Sequence, residues 1–252
     1  MKAVILAAGK GTRMGDLTDE LPKPMLRVHD RPILEHIITG LREAGIQEIS
    51  IITGWQAEVI ENHFREGADL GVSISYTRQE VQNGTGKAPE LAREFVGKEA
   101  FLLTYGDILV HANTYKQMLE RWGEDDFAGL VTVTGSEDVT KGGLFFFDEA
   151  FYLNHLVEKP TVEQLDELRA KGWLKEGKPA WYNAGIYCFR PQLFEYTARL
   201  EKSTRGEYEL TDALSTMLAA EQSIAGLEIA GRWVDVRDPV VLRELKGKDQ
   251  SI

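Results

Sequence analysis

The sequence places two glycines, a lysine and an arginine directly after its first apolar run, in LAAGKGTRM (6–14). A glycine turn at the end of a strand lets backbone N–H groups approach a bound group closely, and that group is often a phosphate. Lysine and arginine beside such a turn would bring positive charge to the same anion. The stretch therefore predicts a phosphate-binding turn at the start of the fold.

Three interpretations of this turn are open from its residues alone. A dinucleotide-binding fingerprint needs a third glycine where Met14 stands, and the acidic residue expected ~20 residues later is missing. A P-loop needs G-x-x-x-x-G-K-[ST], which neither GKGTRMGD (9–16) nor GTGKAPE (84–90) satisfies. The third interpretation is a structural turn whose glycines serve only the backbone.

Two aspartates stand at the ends of apolar runs, Asp107 in AFLLTYGD (100–107) and Asp235 in RWVDV (232–236). Open α/β sheets bind ligands at the carboxyl ends of their strands, where these side chains are expected. Two carboxylates, together with phosphate oxygens and water, suit an octahedral Mg²⁺ site. Each aspartate alone is equally typical of a turn or a helix cap.

Composition bounds the classes of function. The chain has 252 residues and a net charge of −11, which argues against a nucleic-acid-binding surface. Its single cysteine excludes an intrachain disulfide and fits a reducing compartment. The N-terminal apolar run is too short for a signal peptide, and no run approaches the ~20 apolar residues that span a membrane. We therefore expect a cytoplasmic protein without a membrane partner.

Apolar runs and helical stripes alternate along the chain with short connections, which predicts strands alternating with helices. Strands are expected at 3–8, 48–53, 72–76, 100–107, 128–133 and 143–147, and helices from Pro32 to about 45, at 56–64, at 89–95 and at 113–122. Further strands are expected in FYLNHLVEKP, WYNAGIYCF and WVDV, and helices near 161–171, 191–200 and 210–220. The pattern favours a single α/β domain over 1–252 with a Rossmann-like, doubly wound mixed sheet.

LAAGKGTRM followed by LPKPML (21–26) resembles the signature of the sugar-1-phosphate nucleotidyltransferases, the NDP-sugar pyrophosphorylases. Further matches are QEVQNGTGKA (79–88), YGD (105–107), VEKP (157–160), YNAG (182–185), EYELTD (207–212) and WVDV (233–236). The resemblance implies a short single-domain, GT-A-like member that makes an NDP-sugar and pyrophosphate. Its substrates would be an NTP, with UTP or dTTP favoured, and a hexose or hexosamine 1-phosphate, and it allows a homo-oligomer.

The resemblance assigns roles to particular positions. It implies a nucleotide-binding part over about 1–135 and a sugar-phosphate-binding part over about 136–240. Arg13 and Lys23 would be catalytic, and Asp107 and Asp235 would hold Mg²⁺. The nucleotide-binding positions would be Leu6, Ala8, Gly9, Gly11, Gln79, Gly84 and Thr85. The sugar-phosphate-binding positions would be Gly143, Glu158, Lys159 and Asn183.

Two positions depart from the family pattern. Lys87 stands where the related N-acetylglucosamine-1-phosphate uridylyltransferases usually carry histidine, which leaves the base open among uridine, thymidine, cytidine and guanosine. Gly142 stands where an aromatic residue is common, and we expect it to widen the sugar pocket. Two alternatives to the enzyme remain, a catalytically silent scaffold or regulatory subunit that binds a nucleotide sugar, and nucleotidyl transfer to a non-sugar phosphate.

Overall fold

The computed structural model describes residues 1–135, 137–138, 140–175, 177 and 179–247, and the remainder of the expected domain lies outside the described residues. The strands are β1 (Lys2–Leu6), β2 (Arg27–Val28), β3 (Arg31–Pro32), β4 (Glu48–Thr53), β5 (Ser73–Arg78), β6 (Phe101–Tyr105), β7 (Ile108–Val110), β8 (Gly129–Thr134), β9 (Gly143–Phe147), β10 (Leu153–Glu158), β11 (Trp181–Phe189), β12 (Ile224–Glu228) and β13 (Trp233–Asp235). The α-helices are α1 (Ile33–Glu43), α2 (Ala57–Phe64), α3 (Arg93–Val96), α4 (Asn113–Trp122), α5 (Val162–Ala170), α6 (Leu193–Thr197), α7 (Leu210–Ala219) and α8 (Pro239–Lys246). Short 3-10 helices cover Thr12–Thr18, Lys23–Met25, Ala68–Leu70 and Ala88–Ala92.

A nine-stranded sheet lies at the centre of the molecule. Its main order is β10-β9-β11-β6-β1-β4-β5, and β8 joins it through β11 while β12 joins it through β8. β1 pairs in parallel with β4 and β6, and β4 pairs in parallel with β5. β11 runs antiparallel to β6, β8 and β9. The sheet is mixed, and the expected doubly wound fold class is confirmed.

The strand order reverses at β1. The chain leaves β1 for β4 and β5 on one side and then returns to form β6 on the other side. Such a reversal leaves a crevice outside the carboxyl ends of the two strands that flank it. Leu6 and Tyr105 are paired at those ends, so the glycine turn after β1 and Asp107 after β6 open into the same crevice.

Both faces of the sheet are covered, which explains why its first strands are almost continuously apolar. Along β1, Ile5 faces one hydrophobic cluster and Val4 faces the other. Ile37 of α1 packs in the first cluster, and Leu214 of α7 packs in the second. Cys188 of β11 is buried and unpaired with another cysteine, as expected from the single-cysteine count.

Most predicted elements are present, and the exceptions have local causes. The helix expected over 89–95 is a 3-10 turn followed by the single turn of α3. The helix expected over 191–200 is limited to α6. At its end the carbonyls of Thr197 and Ala198 accept hydrogen bonds from the Lys87 ammonium. Sequence reasoning did not predict β12, whose small residues AG give it little strand character, although it pairs with β8.

The end of the chain also differs from expectation. WVDV does form a strand, but β13 pairs antiparallel with β7 in a separate two-stranded sheet. Beyond it lies α8, which was not predicted; Asp238 caps it by accepting hydrogen bonds from the N–H groups of Val240 and Val241 at 2.8 and 3.0 Å. None of the helices in the described part of the chain has the length and apolar character to cross a membrane.

Candidate active site

A cavity of about 490 Å³ opens at the carboxyl ends of β1 and β6. Every site residue named from the sequence lines it, although these residues come from segments far apart in the chain. They are Leu6, Ala8, Gly9, Gly11, Arg13, Lys23, Gln79, Gly84, Thr85, Asp107, Gly143, Glu158, Lys159, Asn183 and Asp235. Asp212, the last residue of the EYELTD motif, does not line the cavity and lies in the first turn of α7.

The glycine turn needs glycine at position 11 for two reasons. Gly11 has a φ of +68°, in the left-handed region that side chains rarely adopt. A Cβ there would lie 2.9 Å from the Cβ of Lys23. The Thr18 hydroxyl donates to the Gly11 carbonyl at 3.2 Å and so ties the turn to the 3-10 helix that follows. Arg13 is the second residue of that helix, is exposed, and lines the cavity.

Lys23 is oriented by its proline neighbours, as the sequence suggested. Pro22 has extended backbone angles, and Pro24 stands in the 3-10 turn that Lys23 begins. The ammonium forms an ion pair with the carboxylate of Asp107, and it lies 3.9 Å from the nearest carboxylate oxygen of Asp235. The lysine side chain is only 12% exposed, so water screens these interactions weakly.

The two aspartates are adjacent because β7 and β13 pair. Asp235 stands opposite Ile108, and the N–H of Val236 donates to the Asp107 carbonyl at 3.0 Å. Burial raises the pKa of Asp235, and the charge of Asp107 raises it further, against the opposing effect of Lys23. Two carboxylates therefore share one ammonium and retain net negative charge.

This donor set fits a divalent metal. Hard cations such as Mg²⁺ take oxygen ligands, usually one or two carboxylates completed by substrate phosphates and water. Asp107 and Asp235 supply those carboxylates inside the cavity that Arg13 also lines. The described residues contain no group of three or more acidic, histidine or cysteine side chains that could hold a metal without other ligands.

The loop after Gln79 is held against the start of α7. Gly84 has a φ of +113°, and a Cβ there would lie 2.6 Å from the backbone N of Tyr208. The N–H of Gly86 donates to the Tyr208 carbonyl at 2.8 Å, and Thr85 accepts from the N–H of Leu210 at 3.3 Å. The motifs NGTG (83–86) and EYELTD (207–212) are therefore held together by these contacts.

Lys87 does not line the cavity. Its ammonium donates to the carbonyls of Thr197 and Ala198 at 2.7 and 3.0 Å, at the carboxyl end of α6, where a cation is favourable. It also lies 3.3 Å from Glu90. Lysine in place of the usual histidine therefore changes contacts behind the loop, with α6 and Glu90, and does not change the cavity lining.

Glu158 is a largely buried acid at the opposite end of the cavity. Burial raises the pKa of its carboxyl, and the nearby charges of Lys159 and Arg205 partly oppose this rise. The Lys159 ammonium lies 3.8 Å from the carboxylate, and Arg205 lies 3.4 Å from it. Arg205 also binds Glu209 at 2.7 Å. The site thus has an acceptor flanked by cations, a suitable arrangement for a hydroxylated anion.

The expected widening at Gly142 is wrong for a specific reason. A Cβ at position 142 would overlap the hydroxyl of Tyr182, and the Tyr182 ring packs edge-on against Trp233 with centroids 5.8 Å apart. The tyrosine therefore fills the space that a side chain at 142 would take.

Sequence reasoning missed several residues that line the cavity, among them Tyr105, Tyr182 and Arg237. Arg237 binds Glu137 at 2.7 Å and lies two residues after Asp235. That spacing was a usable signal for Arg237. Tyr105 and Tyr182 begin the YGD and YNAG motifs, but neither was singled out because aromatic residues in strands are usually core.

The sequence profile described as "Nucleotidyl transferase" matches residues 2–250. The chain belongs to the nucleotidyl transferase family. UTP–glucose-1-phosphate uridylyltransferase AglF of Haloferax volcanii is 29% identical over 95% of this chain and 92% of its own length. Bifunctional protein GlmU of Methanococcus aeolicus is 34% identical over 95% of this chain and 52% of its own length.

Solved structures of this family resemble the chain along its whole length. A Bacillus anthracis protein, provisionally described as a glucose-1-phosphate thymidylyltransferase and crystallised with sucrose, aligns with a TM-score of 0.83 at 26% identity. The alignment covers 98% of this chain and 94% of that protein. Against several curated nucleotidyl transferases, by contrast, the chain spans only 52% to 63% of the relative's length.

Proposed function

We propose that the protein joins a nucleoside triphosphate to a sugar 1-phosphate, giving an NDP-sugar and pyrophosphate. The observation that carries this proposal is the convergence of Arg13, Lys23, Asp107 and Asp235 on one cavity, with Glu158 at its other end. The cavity thus offers cations and a metal site for a triphosphate and a separate polar end for a second substrate.

The reaction forms a bond between a sugar-phosphate oxygen and the α-phosphorus. The bond from the α-phosphorus to the oxygen that bridges it to the β-phosphorus breaks, and pyrophosphate leaves with that electron pair. Both substrates are anions, so the main obstacles are charge repulsion and alignment. Lys23 would neutralise the α-phosphate, and Arg13 would bind the β- and γ-phosphates with its planar set of donors. Gly9 and Gly11 would let backbone N–H groups approach the triphosphate.

Asp107 and Asp235 would hold the metal, and we propose Mg²⁺. When bound there, Mg²⁺ would neutralise phosphate charge and favour in-line geometry. The two aspartates would direct carboxylate oxygens toward a metal that the phosphates share, and the nearby Lys23 ammonium balances part of their charge. Nucleotidyl transfer enzymes generally depend on a metal, in keeping with this donor set.

The two ends of the cavity suggest the substrates. Gln79, with Gly84 and Thr85, would contact the base; an amide presents both donor and acceptor to a pyrimidine, and we favour UTP or dTTP. Glu158 would accept hydrogen bonds from sugar hydroxyls, and Lys159 would face the sugar phosphate. Asn183 and the backbone at Gly143 complete this end, which suits a hexose or hexosamine. The nucleotide and sugar parts over 1–135 and 136–240 remain a proposal.

The substrates also suggest where the protein works. A nucleoside triphosphate and a phosphorylated sugar are small molecules of the cytoplasm, so we propose a cytoplasmic enzyme. Neither nucleic acid nor membrane is needed for the reaction, and a homo-oligomer stays a prediction.

The test is a pyrophosphate-release panel that crosses UTP, dTTP, CTP, GTP and ATP with hexose and hexosamine 1-phosphates in the presence of Mg²⁺. We expect release with one pyrimidine triphosphate and one sugar phosphate, and strong loss in the D107N variant. Binding of a nucleotide sugar without release for any pair would instead support the silent scaffold. Release only with phosphocholine or an alditol phosphate would support the non-sugar alternative.

A further inference from the structure

Behind the sugar end of the cavity, three polar side chains form a hydrogen-bonded row. The hydroxyls of Tyr105 and Tyr187 lie 3.3 Å apart, and the Tyr187 hydroxyl donates to Oδ1 of Asn183 at 2.9 Å. Tyr105 and Asn183 line the cavity, whereas Tyr187 does not and is fully buried. The Tyr187 hydroxyl thus bonds to two cavity-lining side chains without lining the cavity itself, and it can act on the site only through them.

The row has a defined direction. Because the Tyr187 proton is committed to Asn183, the bond between the two tyrosines must be donated by Tyr105. Burial raises the pKa of Tyr105 to about 12 and raises that of Tyr187 well above its usual value, so both hydroxyls keep their protons. The order is therefore Tyr105 to Tyr187 to Asn183, with the amide oxygen as the final acceptor.

A second donor fixes the same oxygen. The N–H of Gly185 donates to Oδ1 of Asn183 at 3.1 Å. Gly185 has a φ of +77°, and a Cβ there would lie 2.7 Å from the Tyr105 ring, so only glycine suits this backbone position. Because the Gly185 N–H can only donate, a flipped amide would turn its NH₂ group against that donor and lose this hydrogen bond.

The other half of the amide is left for the cavity. No group in the described part of the chain accepts a hydrogen bond from Nδ2 of Asn183, and this nitrogen is not among the buried unpartnered atoms. We propose that Tyr187 is a positioning residue that holds Asn183 with its NH₂ group toward the substrate, so that this site selects an acceptor oxygen on the sugar phosphate. This inference rests on the proposed function, which it deepens.

The effect of Tyr187→Phe follows from one neutral hydrogen bond. Loss of that bond leaves the Gly185 N–H as the one donor to Oδ1 among the described residues and weakens the contact of the amide with the substrate by about threefold to tenfold. We expect this change in KM for the sugar phosphate, with KM for the triphosphate within about twofold of the wild type. The chain offers a matched control in Tyr115→Phe, which removes another fully buried tyrosine hydroxyl, from the cluster on the opposite face of the sheet.

The decisive experiment is a double-mutant cycle on sugar-phosphate KM with Tyr187→Phe, Asn183→Ala and the double variant. If Tyr187 acts through Asn183, Tyr187→Phe has no further effect once the amide is gone. Additive effects, equal changes in both KM values, or an effect matched by Tyr115→Phe would overturn the inference. Thermal unfolding of each variant is measured alongside.

Asn183→Asp provides a test that leaves Tyr187 intact. The aspartate keeps an oxygen for Tyr187 and Gly185 but turns an acceptor toward the cavity. We expect a larger loss of sugar-phosphate affinity than in Asn183→Ala; a smaller loss overturns the donor assignment. Wild-type protein inactive with every substrate pair would overturn the proposed function and this inference together, whereas active wild type with an unchanged Tyr187→Phe overturns the inference alone.

Discussion

The substitution Lys23→Met probes the centre of the site, because it removes the ammonium and keeps most of the side-chain volume. Lys23 is paired with Asp107 and lies 3.9 Å from Asp235, and the three side chains are 12%, 26% and 21% exposed. Two carboxylates would then face each other without their counter-charge. In the absence of metal this repulsion lowers the free energy of unfolding.

The magnitude can be bounded from the geometry. Unit charges about 4 Å apart near a protein surface interact by roughly 4 kcal/mol, and removing one partner of a fully buried pair costs about 3–5 kcal/mol. Because these carboxylates are about a quarter exposed, water offsets part of that cost, and we expect a loss of about 2 kcal/mol. Saturating Mg²⁺ should restore most of it, since the cation supplies the missing charge.

Catalysis should respond differently from stability. Without the ammonium at the α-phosphate, turnover should fall at least ~100-fold even in Mg²⁺, the size of effect typical for loss of one charge-stabilising group. Thermal unfolding in EDTA and in Mg²⁺, together with pyrophosphate release, measures both effects. Lys10→Met is the control, because the Lys10 ammonium rests 4.4 Å from the Trp55 ring centroid and does not line the cavity.

Two results would refute this reasoning. One is a Lys23→Met enzyme whose turnover stays within about threefold of the wild type. The other is an equal loss of turnover in Lys10→Met, which would show that the effect is not specific to the ammonium paired with the two aspartates.

Three further predictions concern other parts of the cavity. Burial raises the pKa of Glu158, so its carboxylate takes up a proton at a higher pH than is usual for glutamate. Sugar-phosphate KM should therefore rise as the pH falls through that raised pKa. An identical KM–pH profile in Glu158→Gln would contradict this. Lys87→Met should lower the free energy of unfolding by about 1–2 kcal/mol through lost bonds to two carbonyls, with no change in the ranking of triphosphates, and a changed ranking would be contrary evidence. Gly142→Ala should raise sugar-phosphate KM because its Cβ meets the hydroxyl of Tyr182, and adding Tyr182→Phe should reverse part of that rise; no reversal would exclude this contact as the cause.

The fold was predictable wherever burial left a strong pattern. Strands such as Glu48–Thr53 are apolar runs closed by turns, and α1 carries a clear helical stripe. Ile224–Glu228 escaped detection, since its pairing with β8 depends on a partner almost a hundred residues away. The pairing of β13 with β7 is long-range in the same sense.

The site residues that belong to short sequence motifs could be predicted. The glycine turn and the PKP stretch identified Arg13 and Lys23 as candidates, and both line the cavity. No local pattern could show that Asp107 pairs with a lysine 84 residues earlier, or that Tyr182 fills the space beside Gly142. Both contacts join segments that are far apart in the sequence. The second explains why Gly142, which departs from the family pattern, has no room for a side chain.

The most direct test of the central claim is a crystal structure of the protein with an NDP-sugar and Mn²⁺, using anomalous scattering to locate the metal. We predict an anomalous peak bound by the carboxylates of Asp107 and Asp235, with the diphosphate of the product within reach of Arg13 and Lys23. A diphosphate bound away from these four side chains, or a metal held elsewhere in the cavity, would contradict the account.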